Sequence, residues 1–189
     1  MAAGASHQRV YCRQKFEGFP LHWTVFQDEI IQVFSAFLTE TLPVVGGERW
    51  WTTNVLDQLS SYQVQRLQKK KIYTLKELDL AALIKIALAS CDEMTVRKCA
   101  PPEFCELLVR MKEIQARYAH APADGFPPTV EAHDLMGSAD FVACLYTTSN
   151  LPDRLRAAAQ HLADQGETPK RAPTFNASGR GPLAMLRHP

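Results

Sequence analysis

No stretch of this sequence alternates apolar and polar residues at period two, so β-strands are not expected. Glycine is scarce, nine residues in 189, and no glycine-rich phosphate loop is present. There is no His-Glu-x-x-His and no Ser/His/Asp arrangement either, which removes P-loop, zinc-peptidase and serine-hydrolase chemistry. The five cysteines, Cys12, Cys91, Cys99, Cys105 and Cys144, are odd in number and contain no Cys-x-x-Cys pair. Neither a disulfide framework nor a zinc site is indicated, and no metal or other cofactor is expected. Charge of one sign is also lacking: 21 Lys+Arg stand against 20 Asp+Glu, which gives no global basic footprint for nucleic acid. The N-terminal residues hold no apolar stretch like that of a signal peptide, and Ala2 excludes the myristoylation signal. The most apolar segment, 78–89, contains Asp79 and Lys85 and is too short to span a bilayer. The expectation is a soluble, cytoplasmic protein with no membrane partner.

What is present is helical periodicity. In 101–121, Phe104, Leu107, Leu108, Met111, Ile114 and Tyr118 recur at three- and four-residue steps, which places them on one face of a helix. Pro101 and Pro102 suit its start, and Pro122 follows His120 to end it. His120 therefore falls at the helix C-terminus, where the negative pole of the helix dipole favours the imidazolium and suits proton transfer near neutral pH.

The rest of the chain follows the same pattern. Residues 1–22 read as an irregular segment. A first helix is expected over 25–42, with Phe26, Ile30, Val33 or Phe34, Phe37 and Leu38 as its stripe, stopped by Pro43 and Gly46-Gly47. A second begins near Trp50-Trp51 and runs through Val55, Leu56 and Leu59 toward Leu67. A third spans 75–90, with Thr74 as N-cap and Glu77 completing a capping box. A ten-residue connection leads to the 101–120 helix. Thr129 caps a fifth helix, on which Ala132, Leu135, Met136, Ala139, Val142 and Tyr146 repeat. A short terminal helix within 149–166 precedes a disordered, mildly basic tail, 167–189. Five or six helices joined mostly by short loops imply an all-α bundle, with its main domain over 23–148 and disordered ends.

Trp50-Trp51 reads as core or as an interhelical wedge, since large aromatic side chains are usually buried. Lys69-Lys70-Lys71 reads as a solvated helix end that could also touch phosphates.

Taken together, several of these features resemble a HEPN domain (higher eukaryotes and prokaryotes nucleotide-binding). They are Trp50-Trp51, the 78–83 segment LDLAAL, the 113–121 segment EIQARYAHA and the 129–145 helix. The resemblance runs from about Trp23 to Tyr146. It is to the subgroup found in a eukaryotic nuclear mRNA-surveillance endoribonuclease and in bacterial conflict and phage-defence proteins. Active members carry Arg-x(4–6)-His, usually opening Arg-Asn, and two copies face each other across a homodimer to cut RNA without metal. A histidine for proton transfer and an arginine on the phosphorane charge suffice for cleavage through the ribose 2′-OH.

This chain departs from that pattern. Aligned on Ala119 and His120, the Arg-Asn positions hold Gln115 and Ala116, and 113–115 contains no arginine. The resemblance therefore implies a catalytically degenerate, homodimeric HEPN-like module that senses RNA or docks a protein in a bacterial defence or toxin–antitoxin-like system. Gln115, Ala116, Arg117 and His120 would line a vestigial groove, with Lys69, Lys70 and Lys71 as further RNA contacts. The alternative is an active, metal-independent endoribonuclease in which His120 is the acid/base and Arg117 steadies the phosphate. A partner ATPase, helicase or nuclease is a third implication. Arg154 and Arg156 also stand at motif spacing from His161, a coincidence that the abundance of basic residues makes unsurprising.

Overall fold

The computed structural model describes residues 22–145 and 147–166. Of the segment 1–22 expected to be irregular, only His22 is described, and it opens the first helix; residues 1–21 with Cys12, Tyr146 and the expected tail 167–189 lie outside the described residues. Among those described there is no strand, and seven α-helices form one bundle around a continuous apolar core. The fold is all-α, as expected.

Helix α1 (His22–Gly46) is the central element and packs against the helices that begin at Leu80, Cys91, Phe104, Pro128 and Leu151. Ile30, Phe34, Leu38 and Leu42 on its inner face are fully enclosed. It continues one turn past Pro43, where the sequence suggested a stop, because Val45 in that turn is also buried. By length and composition α1 could cross a membrane; in the bundle its apolar stripe is occupied by core contacts. Gly46 ends it against Asn54, whose side-chain oxygen occupies the space a Cβ would need.

The single helix expected from Trp50 to Leu67 is two separate pieces. A 3₁₀ turn (Gly47–Arg49), a π turn (Trp51–Val55) and a second 3₁₀ turn (Leu56–Gln58) carry the chain to Leu59, which is extended. Ser60 then opens α2 (Ser61–Lys70) with a capping box. Its Oγ accepts from the Gln63 N–H at 3.3 Å, and its own N–H donates to Gln63 Oε1 at 3.0 Å.

The Thr74–Glu77 box does not open a long helix. Thr74 Oγ1 accepts from the Lys76 N–H at 3.1 Å and caps only a 3₁₀ turn (Leu75–Glu77). The chain then extends through Leu78, and Asp79 caps α3 (Leu80–Leu88) by accepting from the Ala82 N–H at 2.8 Å. This break lets Leu75 and Leu78 both turn into the core. The expected ten-residue connection contains a further helix, α4 (Cys91–Val96), too short to show a periodic stripe.

Helix α5 (Phe104–Ala119) matches the 101–120 expectation within a few residues, and Phe104, Leu108, Met111, Ile114 and Tyr118 are buried on it. Helix α6 (Pro128–Cys144) starts with proline in its first turn after Pro127, so Thr129 lies inside the helix and is not its cap. Helix α7 (Leu151–Gly166) packs along α6, and Leu151, Leu155, Ala159 and Leu162 join the same core. Phe37 of α1, Phe104 of α5, and Phe141 of α6 form an aromatic chain through the centre, with centroid spacings of 5.4 and 6.3 Å.

Trp50-Trp51 packs against the core, in keeping with the wedge reading, but is not fully enclosed. Trp50 and Trp51 are half-buried, packed edge to face 5.4 Å apart at the margin of the core. The enclosed tryptophan is Trp23, at the start of α1. It stacks on Tyr118 at 4.6 Å and donates its indole N–H to Ser138 Oγ at 2.8 Å.

Candidate nucleic-acid interface

Helix α2 turns one narrow stripe inward, centred on buried Leu67 and half-buried Val64. Tyr62, Arg66, Lys69 and Lys70 follow at helical steps on the outward side, and all are exposed. With Gln65 they line a surface depression of about 560 Å³. Lys71 adopts a left-handed conformation (φ 52°) and ends the helix. From Gln58 to Lys76 the chain carries five cations and no carboxylate. None of Arg66, Lys69, Lys70 and Lys71 enters an ion pair with another described residue. Tyr62 and Tyr73 are 74% and 69% exposed, unusual for aromatic rings that have a core available. Cations beside exposed aromatic rings are the combination that single-stranded nucleic-acid binders use for phosphate contacts and base stacking, which makes this face a candidate.

The residues at the end of α5 are arranged otherwise. His120 is the C-cap; its backbone N–H donates to the Arg117 carbonyl at 3.2 Å, and its side chain is exposed. Arg117 reaches across to α6, where its Nε lies 3.4 Å from Asp134 Oδ2. One turn-pair earlier, Arg110 Nη2 contacts His133 Nε2 at 3.1 Å. Gly137 makes that approach possible, since a Cβ there would stand 2.6 Å from the Arg110 Nε. These four side chains border a second pocket of about 320 Å³ between α5 and α6, with Glu106 and Glu113 on its rim.

Asp134 forms the inner wall of this pocket, its side chain 1% exposed and neither carboxylate oxygen hydrogen-bonded. Burial pushes its pKa up, against the pull of Arg117, His133 and Arg110. It belongs to a polar stripe on α6, in which Glu131 pairs with His22 Nδ1 at 3.0 Å and Ser138 accepts from Trp23. The hydroxyl of Tyr118 is enclosed nearby without a hydrogen bond, and burial, with Glu131 and Asp134, pushes its pKa up.

The groove suggested by the sequence is thus divided. Lys69 and Lys70 line the α2 depression, Arg117 lines the α5–α6 pocket, and Gln115, Ala116 and His120 line neither. Gln115 is half-buried and Ala116 exposed. The pairing of Arg110 with His133 was not legible in the sequence, because it depends on the packing of α5 against α6. Arg154 binds Glu29 and lies over the Phe26 ring, and Arg156 reaches Asp140, so neither is directed at His161. His161 contacts Gln165.

No family model matches this chain, and no curated protein or solved structure matches it.

Proposed function

We propose that this chain is a HEPN-like, non-cleaving RNA-binding module, cytoplasmic and homodimeric, serving a bacterial defence or toxin–antitoxin-like system. The observation that carries RNA binding is the outward face of α2, where Tyr62, Arg66, Lys69 and Lys70 are exposed without a neighbouring carboxylate. The absence of cutting is supported by Arg117, whose guanidinium is engaged by Asp134, while His120 stands outside that pocket. Gln115 and Ala116 supply no charge where the resemblance requires an arginine.

A single-stranded RNA oligomer titrated into the purified chain in EDTA tests both parts. Binding is expected, the RNA should be recovered at full length, and an Arg66→Glu, Lys69→Glu, Lys70→Glu variant should lose the binding while its circular dichroism is unchanged. Equal affinity in the variant would sink the α2 assignment. RNA fragments that vanish with His120→Ala would sink the non-cleaving one.

One observation favours a second reading, a metal-independent endoribonuclease. Arg110 and His133 bring a cation and an imidazole into contact beside an open pocket. In that case cutting persists in His120→Ala and is lost in His133→Ala.

A further inference from the structure

The corner between α4 and α5 brings together three groups that take no part in the RNA surface. Cys91 is the first residue of α4, Asp92 the second, and Cys105 lies in the first turn of α5. The two Sγ atoms and a carboxylate oxygen of Asp92 all lie within 4.8 Å of one another. Both thiols address the same oxygen: Asp92 Oδ1 is 3.7 Å from Cys105 Sγ and 4.0 Å from Cys91 Sγ.

We propose that Cys91, Asp92 and Cys105 form a binding site for a thiophilic divalent cation of the zinc type, with solvent completing its shell. A tetrahedral zinc centre, with Zn–S about 2.3 Å and Zn–O about 2.0 Å, sets sulfur and oxygen about 3.5 Å apart. The observed sulfur–oxygen spacings of 3.7 and 4.0 Å lie close to that value, so closure on an ion needs only a small inward movement. Two sulfurs and one oxygen select zinc over magnesium or calcium, which require oxygen shells.

The graded exposure of the three ligands fits an open site. Cys91 is buried, Cys105 half-buried and Asp92 exposed, which leaves one side for ion entry and for a fourth ligand. Thr95 supports the arrangement from behind: its hydroxyl donates to the Cys91 carbonyl at 3.0 Å and lies 3.8 Å from Cys105 Sγ. Burial, with the hydrogen bond to Cys105, pushes the Cys91 thiol up to about 12. Binding releases one proton from each thiol to solvent and forms two metal–sulfur bonds, with no change of oxidation state. The consequence is a clamp between α4 and α5, at the start of the helix that carries Arg110 and Arg117.

The test uses the full chain, reduced with a phosphine and titrated with Co²⁺, then with Zn²⁺ in competition. Tetrahedral cobalt bands with thiolate-to-cobalt charge transfer are expected, and Zn²⁺ should abolish them. Cys105→Ser should weaken Co²⁺ binding at least tenfold and Asp92→Asn measurably, whereas Cys99→Ser should leave it unchanged. Zn²⁺ should raise Tm for the wild type and for Cys99→Ser but not for Cys105→Ser. Cys91→Ser alters a buried position, so the half-exposed Cys105 and exposed Asp92 keep the test independent of folding. Three results would overturn the proposal: no bands from the folded, reduced chain; Co²⁺ affinity unchanged in Cys105→Ser; or affinity lost equally in Cys99→Ser. Recovery of a Cys91–Cys105 disulfide that re-forms after reduction and excludes Co²⁺ would also overturn it, in favour of a redox pair.

Discussion

Arg117 Nε lies 3.4 Å from Asp134 Oδ2, and it is the cation nearest to a carboxylate that burial has almost wholly removed from water. Arg117, which the sequence placed three residues before His120, thus pairs with an acid buried between helices. The pair is asymmetric, because the Arg117 side chain is 41% exposed and Asp134 only 1%. Removing the arginine leaves a charge in the interior, whereas removing the acid leaves a solvated guanidinium.

The asymmetry has a pH signature. Burial raises the Asp134 pKa above its ordinary 3.8, so the folded state binds this proton more tightly than the unfolded state does. Where the native form holds the extra proton, stability falls as pH rises, from the unfolded carboxylate range up through the raised folded value. Asp134→Asn cannot ionise and escapes that loss. Its stability relative to wild type should therefore increase between about pH 4 and about pH 7, as measured by urea unfolding at both values. A flat difference would show that Arg117 offsets burial, and one that moves the other way that it overcompensates.

Trp23 supplies the second prediction. It is enclosed, stacked on Tyr118 and hydrogen-bonded to Ser138, so Trp23→Ala should cost roughly 3–5 kcal/mol in denaturant unfolding. Trp50→Ala and Trp51→Ala, at half-buried positions, should each cost clearly less. Reversal of that order would mean that the Trp50–Trp51 corner anchors the fold.

The enclosure of Trp23, which the sequence did not signal, shows where legibility ends. Adjacent Trp50-Trp51 is conspicuous in one dimension, whereas the weight of Trp23 comes from residues far along the chain. Periodic stripes were legible: five of the six apolar positions read on 101–121 are buried on α5. Helix α4 was not, because six residues cannot show a stripe. Nor was the break at Leu78, where local capping chemistry at Asp79 overrode continuous apolar spacing. In the candidate sites, Lys69 and Lys70 were readable as a charge run. Arg110–His133 and Arg117–Asp134 are contacts between helices, and no spacing within one helix encodes them.

The two caps found in place of the expected Thr74 box give a third prediction. Asp79→Ala removes the acceptor for the Ala82 N–H, and Ser60→Ala removes the one for Gln63. Each should lower stability by about 1 kcal/mol. Thr74→Ala touches only a three-residue turn and should cost less than either in the same unfolding experiment. An equal or larger loss at Thr74 would mean that the 3₁₀ turn is the true anchor of this corner.

On the α2 face the two kinds of proposed RNA contact would separate by their response to salt. A lysine that neutralises one phosphate contributes about 0.7 to the slope of log affinity against log salt for a single strand. Lys69→Ala and Lys70→Ala should each flatten that slope by about this amount and weaken binding most at low salt. Tyr62 carries no charge, and its exposed ring can act only by stacking and hydrogen bonding. Tyr62→Ala should therefore weaken binding by about 1–3 kcal/mol at every salt concentration and leave the slope where it was. Fluorescence anisotropy of a labelled oligouridine across a salt series measures both quantities. If Tyr62→Ala is silent while the lysine variants flatten the slope, α2 holds the backbone without engaging the bases. If all three variants are silent, the RNA does not use this face, because the slope is set by the phosphates a surface contacts, and the cations of α2 would then contact none.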